Sequence, residues 1–255
     1  TITRTDDTRL GIFARGPVAR LAQSFRTTFA RITADGADYT SAITAPSVPS
    51  ALARTLRGIH GLQPHQRLRR SQPLALTPLA AAGGSVPYYP GQIAQAYGSS
   101  ALKLDGRGQT IAVYALGFPK IEDLATFWST TGVPASRGNV EFINVAGGPA
   151  PTTSSASLQE ATLDVEWASG MAPGAVIRVY GANENDPVSD TELIQQVLAD
   201  LPSVPSLHQL TISYGMDETA ADRDYIAIEA QYMAALVSQG VTVFASSGEI
   251  GRAHV

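Results

Sequence analysis

Residues 159–182 read QEATLDVEWASGMAPGAVIRVYGA, and they set the fold. Ala161, Leu163, Val165, Trp167 and Ala168 are interleaved with acids, and no breaker appears before Gly170, which predicts a helix. Pro173 and Gly174 stop it. Residues 175–180 follow as a strand rich in β-branched side chains. The small residues of 168–175, ASGMAPGA, predict close packing where the helix turns into the strand.

Glu160 and Asp164 are four apart, so a helix stacks them on one face with Cβ atoms roughly 5–6 Å apart. Two carboxylates at that distance, partly out of water, resist ionising together; they share a proton and titrate as a pair. Such a pair is an acid/base device for low pH. A solvated acidic face is the plain alternative for any E-x-x-x-D spacing. Against it, Glu166 adds a third acid, and no Lys or Arg lies between Gln159 and Arg178 to neutralise the charge.

E-x-x-x-D-x-E followed by A-P-G-A and an apolar strand resembles the sedolisin family of serine-carboxyl peptidases, in particular its kumamolisin-like members. That resemblance implies an acid endopeptidase on a subtilisin-like fold, whose Ser nucleophile is served by a Glu that an Asp orients. Glu160 would be the general base and Asp164 its partner.

At 255 residues, 44% hydrophobic and 16% charged, the chain has the composition of a globular protein with one large or two small domains. It has no Cys, which excludes disulfides and thiolate chemistry. No apolar run reaches the roughly 20 residues that span a bilayer, so no membrane partner is expected. No signal peptide is visible, and the chain is expected to be a fragment at its N-terminus. The net charge of −4 hides a split. Residues 1–70 hold eleven Arg, no Lys and four Asp, which is +7; residues 71–255 hold seven Lys plus Arg and eighteen Asp plus Glu, which is −11. The basic segment lacks an aromatic platform, so it reads as a partner for the acidic remainder and not as a nucleic-acid surface.

In chain order, 8–15 is expected as a strand. A helix follows from Gly16-Pro17 to about residue 28, and 29–32 and 39–43 pair as a hairpin around Asp35-Gly36. A helix over 51–59 then ends at Gly61. The segments ARGPVARLAQSF and VPSALARTLRGIHGL are similar to the C-terminal part of the family's propeptide, so residues 1–65 are expected to be a small α+β ferredoxin-like propeptide fragment lacking its opening strand and helix. Residues 66–87, with Arg67, Arg69, Arg70 and a Pro/Ala/Gly run, form a linker with an activation cleavage region, Arg69-Arg70 being a basic cleavage candidate.

Residues 88–97, YYPGQIAQAY, resemble the entry of the mature peptidase domain, expected over 88–248 as its N-terminal half. Strands at 110–116, 140–145, 175–180, 209–214 and 241–245 alternate with helices at 121–130, 159–170, 191–200 (Asp190 as N-cap) and 220–238. This order predicts an α/β, doubly wound parallel sheet. Functional groups of such sheets gather at strand carboxyl ends.

By resemblance, Ser213, Tyr214 and Gly215 would pair their backbone with an extended substrate. F-A-S-S-G at 244–248 resembles a segment followed by an Asp that helps form the oxyanion hole; here that position is Glu249, with Asp expected in the native gene. The Glu and Trp that the family often adds to the site correspond to Ala115 and Tyr214. The family's Ser sits in a Gly-Thr-Ser segment further downstream, near a calcium site; no Gly-Thr-Ser occurs here, so calcium is expected only outside the chain, with no metal or cofactor within it. Ser169, Ser213, Ser246 and Ser247 are poor nucleophile candidates. His60, His65, His208 and His254 fit solvated or structural roles. The tail 249–255, EIGRAHV, translates GAG ATC GGA AGA GCA CAC GTC, which apart from its first base matches a short-read sequencing adapter followed in frame by a stop; it is expected to be an artefact.

The expected function is an acid-active serine-type endopeptidase, secreted as a monomeric proenzyme with its own propeptide as inhibitor, acting on protein or peptide substrates and inactive over these residues alone. A non-catalytic binding protein on the same fold is the first alternative. A Rossmann-like nucleotide binder is disfavoured, since Leu116-Gly117-Phe118-Pro119 is no G-x-G-x-x-G.

Overall fold

The computed structural model describes residues 1–5, 8–67, 69–70, 88–216, 219 and 221–246. Most of the expected linker, and the tail with Ser247, Glu249 and His254, lie outside the described residues.

The first part of the chain builds two antiparallel ribbons. β1 (Ile2–Thr5) pairs with β2 (Ile12–Ala14), and β3 (Phe29–Ala34) pairs with β4 (Ala37–Ala42). Asp35 and Gly36 both have positive φ, 51° and 74°, the backbone of a two-residue hairpin turn. The β1 strand was not expected from sequence, and β2 is shorter than 8–15. Helix α1 (Val18–Phe25) ends at Arg26, which adopts the left-handed conformation. Helix α2 (Ser50–Ala53) stops well short of Ile59. The cause is tertiary. The Ile59 N–H donates to Asp224 Oδ2 at 2.9 Å, and a Cβ on Gly58 would come within 2.7 Å of Asp224 Cβ. Docking onto a later helix therefore straightens a segment whose local propensity is helical.

Residues 69–70, β5 (Arg69–Arg70), pair with β10 (Tyr214–Gly215). Helix α3 (Pro90–Ala96) opens with Pro at its first turn. The βα alternation then begins: β6 (Thr110–Ala115), α4 (Ile121–Thr131), β7 (Val140–Asn144), α5 (Ser155–Met171), β8 (Val176–Gly181), α6 (Ser189–Asp200), β9 (Leu207–Ile212), β10, α7 (Arg223–Ser238) and β11 (Thr242–Ala245). Five strands form one parallel sheet in the order β11-β9-β6-β8-β7. The chain runs outward from β6 to β7, returns to β8, then crosses β6 to reach β9. That reversal leaves a crevice at the carboxyl ends of the central strands.

The pleat sorts the core by alternation. Ala112, Tyr114 and Leu116 face one way, with Leu193, Ile194, Val197, Tyr232 and Leu236 of α6 and α7. Val113 and Ala115 face the other, with Leu124 and Trp128 of α4 and Ala161 and Val165 of α5. Both faces are covered, which is why these strands read as near-continuous apolar runs. The expected tight helix-to-strand turn is present: a Cβ on Gly170 would meet Pro90 Cγ at 2.7 Å, and one on Gly174 would meet the Asp105 carboxyl at 2.8 Å.

The basic first segment rests on α6 and α7. Arg4 Nη2 lies 2.7 Å from Gln195 Oε1 and 3.5 Å from Glu192 Oε1. Arg67 donates to Asn185 at 3.0 Å, and His60 Nε2 sits 3.8 Å from Asp190 Oδ1. Asp190 is thus not the α6 N-cap; Val188 takes that place, and Asp190 lies buried within the first turn, near His60. Among the described residues no helix is long and apolar enough to cross a membrane.

Candidate active site

Helix α5 carries the central carboxylates, and its start is built to hold them still. Ser154 is the N-cap, its Oγ accepting from the Ser157 N–H at 3.2 Å. The Glu184 carboxylate, just beyond β8, accepts from the Ser154 N–H at 2.6 Å, from Ser154 Oγ at 2.9 Å and from Ser157 Oγ at 2.7 Å. At the other end, Trp128 Nε1 donates to Ser169 Oγ at 2.8 Å, and Ser169 Oγ donates to the Val165 carbonyl at 2.6 Å. Ser169 is a packing residue. Ala161 and Val165 bury the helix against the sheet, and Glu160 and Asp164 occupy the adjoining stripe.

Glu160 is buried. Asp164 Oδ1 accepts a 2.6 Å hydrogen bond from Ser213 Oγ, at the carboxyl end of β9, while Oδ2 is buried without a hydrogen-bond partner among the described residues. Burial pushes the Asp164 carboxyl up to about 7; the Ser213 hydrogen bond pulls it down and the Glu160 charge pushes it up further. A carboxyl raised this far holds its proton well into the range where an ordinary Asp has lost it, so Asp164 is placed to carry a proton beside Glu160. Tyr214 follows Ser213 and is buried, its OH 3.4 Å from the Ser157 carbonyl and its ring packed at a tilt against Tyr114, centroids 5.5 Å apart. Burial, then the charges of Asp164 and Glu160, raise the Tyr214 phenol. Ala115 ends β6 fully buried and adds no polar group.

Tyr214 and Gly215 pair antiparallel with Arg70 and Arg69. The structure therefore brings Glu160, Asp164, Ser213 and Tyr214 together and lays an extended segment of the same chain against Tyr214 and Gly215. Glu249 falls outside the described residues. Glu166 is half-buried beside Asp123 of α4; burial and then that charge raise its carboxyl. Two features were not read from sequence: the Glu184 clamp on α5, and the Ser213 side chain as a donor to Asp164.

A second buried group lies beneath the first segment. Glu229 is pushed up to about 8 by burial and by Asp190, while Thr191 pulls it down. His60 packs at a tilt against Tyr225, ring centroids 4.8 Å apart, beside Asp190. His65 Nδ1 is 2.7 Å from Ser41 Oγ. Among the described residues no group of three or more His, Cys, Asp or Glu is placed to hold a metal ion.

No family model matches the chain. Among curated proteins it is 30% identical over 245 residues to kumamolisin of Bacillus sp. (strain MN-32), across 92% of this chain and 43% of that protein. It is 27% identical over 227 residues to tripeptidyl-peptidase SED4 of Arthroderma otae, across 76% of this chain and 36% of that one. The chain thus spans less than half the length of these relatives. Among solved structures, Pseudomonas sedolisin, a serine-carboxyl proteinase complexed with two molecules of pseudo-iodotyrostatin, matches 65% of this chain and 45% of its own with a TM-score of 0.52 at 23% identity, a likeness of fold.

Proposed function

The chain is a member of the sedolisin family, kumamolisin-like over the part it spans, and from that premise we propose that it contributes the acid/base half of an acid-active serine-type endopeptidase made as a proenzyme. The observation that carries the reading is the carboxyl pair Glu160 and Asp164, with Asp164 pushed up to about 7, set beside a strand end that holds an extended segment. Glu160 takes the proton of the attacking serine as its oxygen bonds to the peptide carbonyl carbon, then gives that proton to the departing amine as the C–N bond breaks. Asp164 holds Glu160 through their shared proton. The serine is proposed to come from sequence outside these 255 residues, and the acid at position 249 to face the oxyanion.

The antiparallel pairing of Arg69–Arg70 with Tyr214–Gly215 supports an inhibitory role for residues 1–70: a segment of the chain's own backbone covers the strand end until the chain is cut. Secretion and a protein or peptide substrate belong to the same proposal. The test uses the natural protein that contains this chain. Purified and exposed to acid, it should cleave near residues 66–87 and then hydrolyse denatured protein, with both steps lost in Glu160→Gln. Cleavage of protein by Glu160→Gln at the unaltered rate would refute Glu160 as the base, and no hydrolysis by the unaltered protein in acid would leave a binding protein on this fold.

A further inference from the structure

Ser213 stands where two structures meet. Its backbone follows the last residue of β9, and the next two residues are β10, which pairs with Arg69–Arg70. Its hydroxyl donates to Asp164 Oδ1 at 2.6 Å. Asp164 Oδ2 is buried and lacks a partner among the described residues, so this bond is the contact that fixes which oxygen of the carboxyl is engaged and which is left to carry a proton. Among the described residues the titratable groups facing Asp164 are Glu160 on α5 and Tyr214 of β10; burial and the Glu160 charge disfavour the Asp164 charge and the Ser213 hydroxyl opposes them, while Tyr214 responds to Asp164, its phenol raised by that charge.

We propose that Ser213 is a positioning residue of the acid pair: its hydroxyl orients Asp164 and keeps it ionisable, and by sharing one strand end with Tyr214–Gly215 it ties the pair to the peptide laid against them. A hydroxyl that donates to a carboxylate stabilises the charged form. Its loss leaves Asp164 Oδ1 without this donor. The proposal rests on Glu160 and Asp164 acting as a proton-sharing pair, yet its test reads the carboxyl itself and not turnover.

The test is the titration of the Asp164 side-chain carbon, followed by carbon-13 NMR in the full chain. Ser213→Ala should raise the midpoint by about 1–2 units, the worth of a hydrogen bond to a charged group. Ser213→Thr, which keeps the hydroxyl and suits a strand, should leave it in place. If the Ala variant fails to fold, Ser213→Cys against Ser213→Thr decides: the weaker donor should give the higher midpoint. A midpoint unmoved in Ser213→Ala, or equal in the Cys and Thr variants, overturns the proposal. Loss of turnover in Glu160→Gln bears on the catalytic reading alone and leaves this titration untouched.

Discussion

Ser154 and Glu184 are joined by two bonds at the start of α5: the Ser154 N–H meets Oε1 at 2.6 Å and the Ser154 hydroxyl meets Oε2 at 2.9 Å. A carboxylate placed there satisfies a helix-start N–H and complements the positive end of the helix dipole. The same carboxylate takes Ser157 Oγ, one turn before Glu160. Glu184→Ala should lower stability by about 1–2 kcal/mol. Amide exchange should quicken first in the opening turn of α5. Equal protection in that turn would show that burial of Ala161 and Val165 alone anchors the helix.

Acid should stabilise this chain. Asp164 is pushed up to about 7 and Glu229 to about 8, while unfolded Asp and Glu lose their protons near 4. Between pH 4 and these values the native state holds protons that the unfolded state has lost, so stability falls as pH rises through the window and levels off above it. Asp38 and Asp105, held low by Thr33 and by the Arg107 backbone, act below it. The melting temperature should therefore climb from pH 8 to pH 5. Asp164→Asn and Glu229→Gln should each flatten the climb. A melting temperature level over that interval would contradict both assignments.

The contact between the first segment and the sheet domain should respond to acid and salt. Burial raises the Glu192 carboxyl and Arg4 draws it back down, so in acid Glu192 takes its proton early and the Arg4 pair loses its charge. We expect β1–β2 amides to lose protection at about pH 4 relative to neutral pH and again at high salt, and Arg4→Gln to reproduce the loss at neutral pH. Protection flat in both would mean that apolar packing holds the segment.

What sequence made legible was local. β6, β8 and the hairpin at Asp35-Gly36 were readable because alternation, β-branching and positive-φ residues act over a few positions. The i, i+4 stacking of Glu160 and Asp164 was readable for the same reason. What escaped depends on distant partners. Helix α2 was overextended because Asp224 captures Ile59 across 165 residues, and Asp190 was misread as a cap because α6 opens earlier, at Ser189, which leaves Asp190 inside the first turn. The Ser213 hydroxyl gave no local signal: its partner is 49 residues upstream, and only the sheet order brings β9 beside α5.

The pair itself is tested in the natural protein that carries this chain. Glu160→Gln keeps shape and hydrogen bonding but removes the base, so hydrolysis should drop by about 10²–10⁴-fold, the usual share of general-base catalysis. Asp164→Asn removes the proton-sharing partner; it should also slow the reaction and move the acid limb of the pH profile, because a carboxyl pushed up to about 7 no longer sets the proton count of the pair. Glu166→Gln is the control. Two residues past Asp164, it is turned roughly 200° around the helix, and it lies half-buried against Asp123, away from Ser213. Its loss should leave turnover and pH profile unchanged and ease its repulsion with Asp123. Activity abolished by Glu166→Gln and kept by Glu160→Gln would place the working face of α5 on the wrong side of the helix.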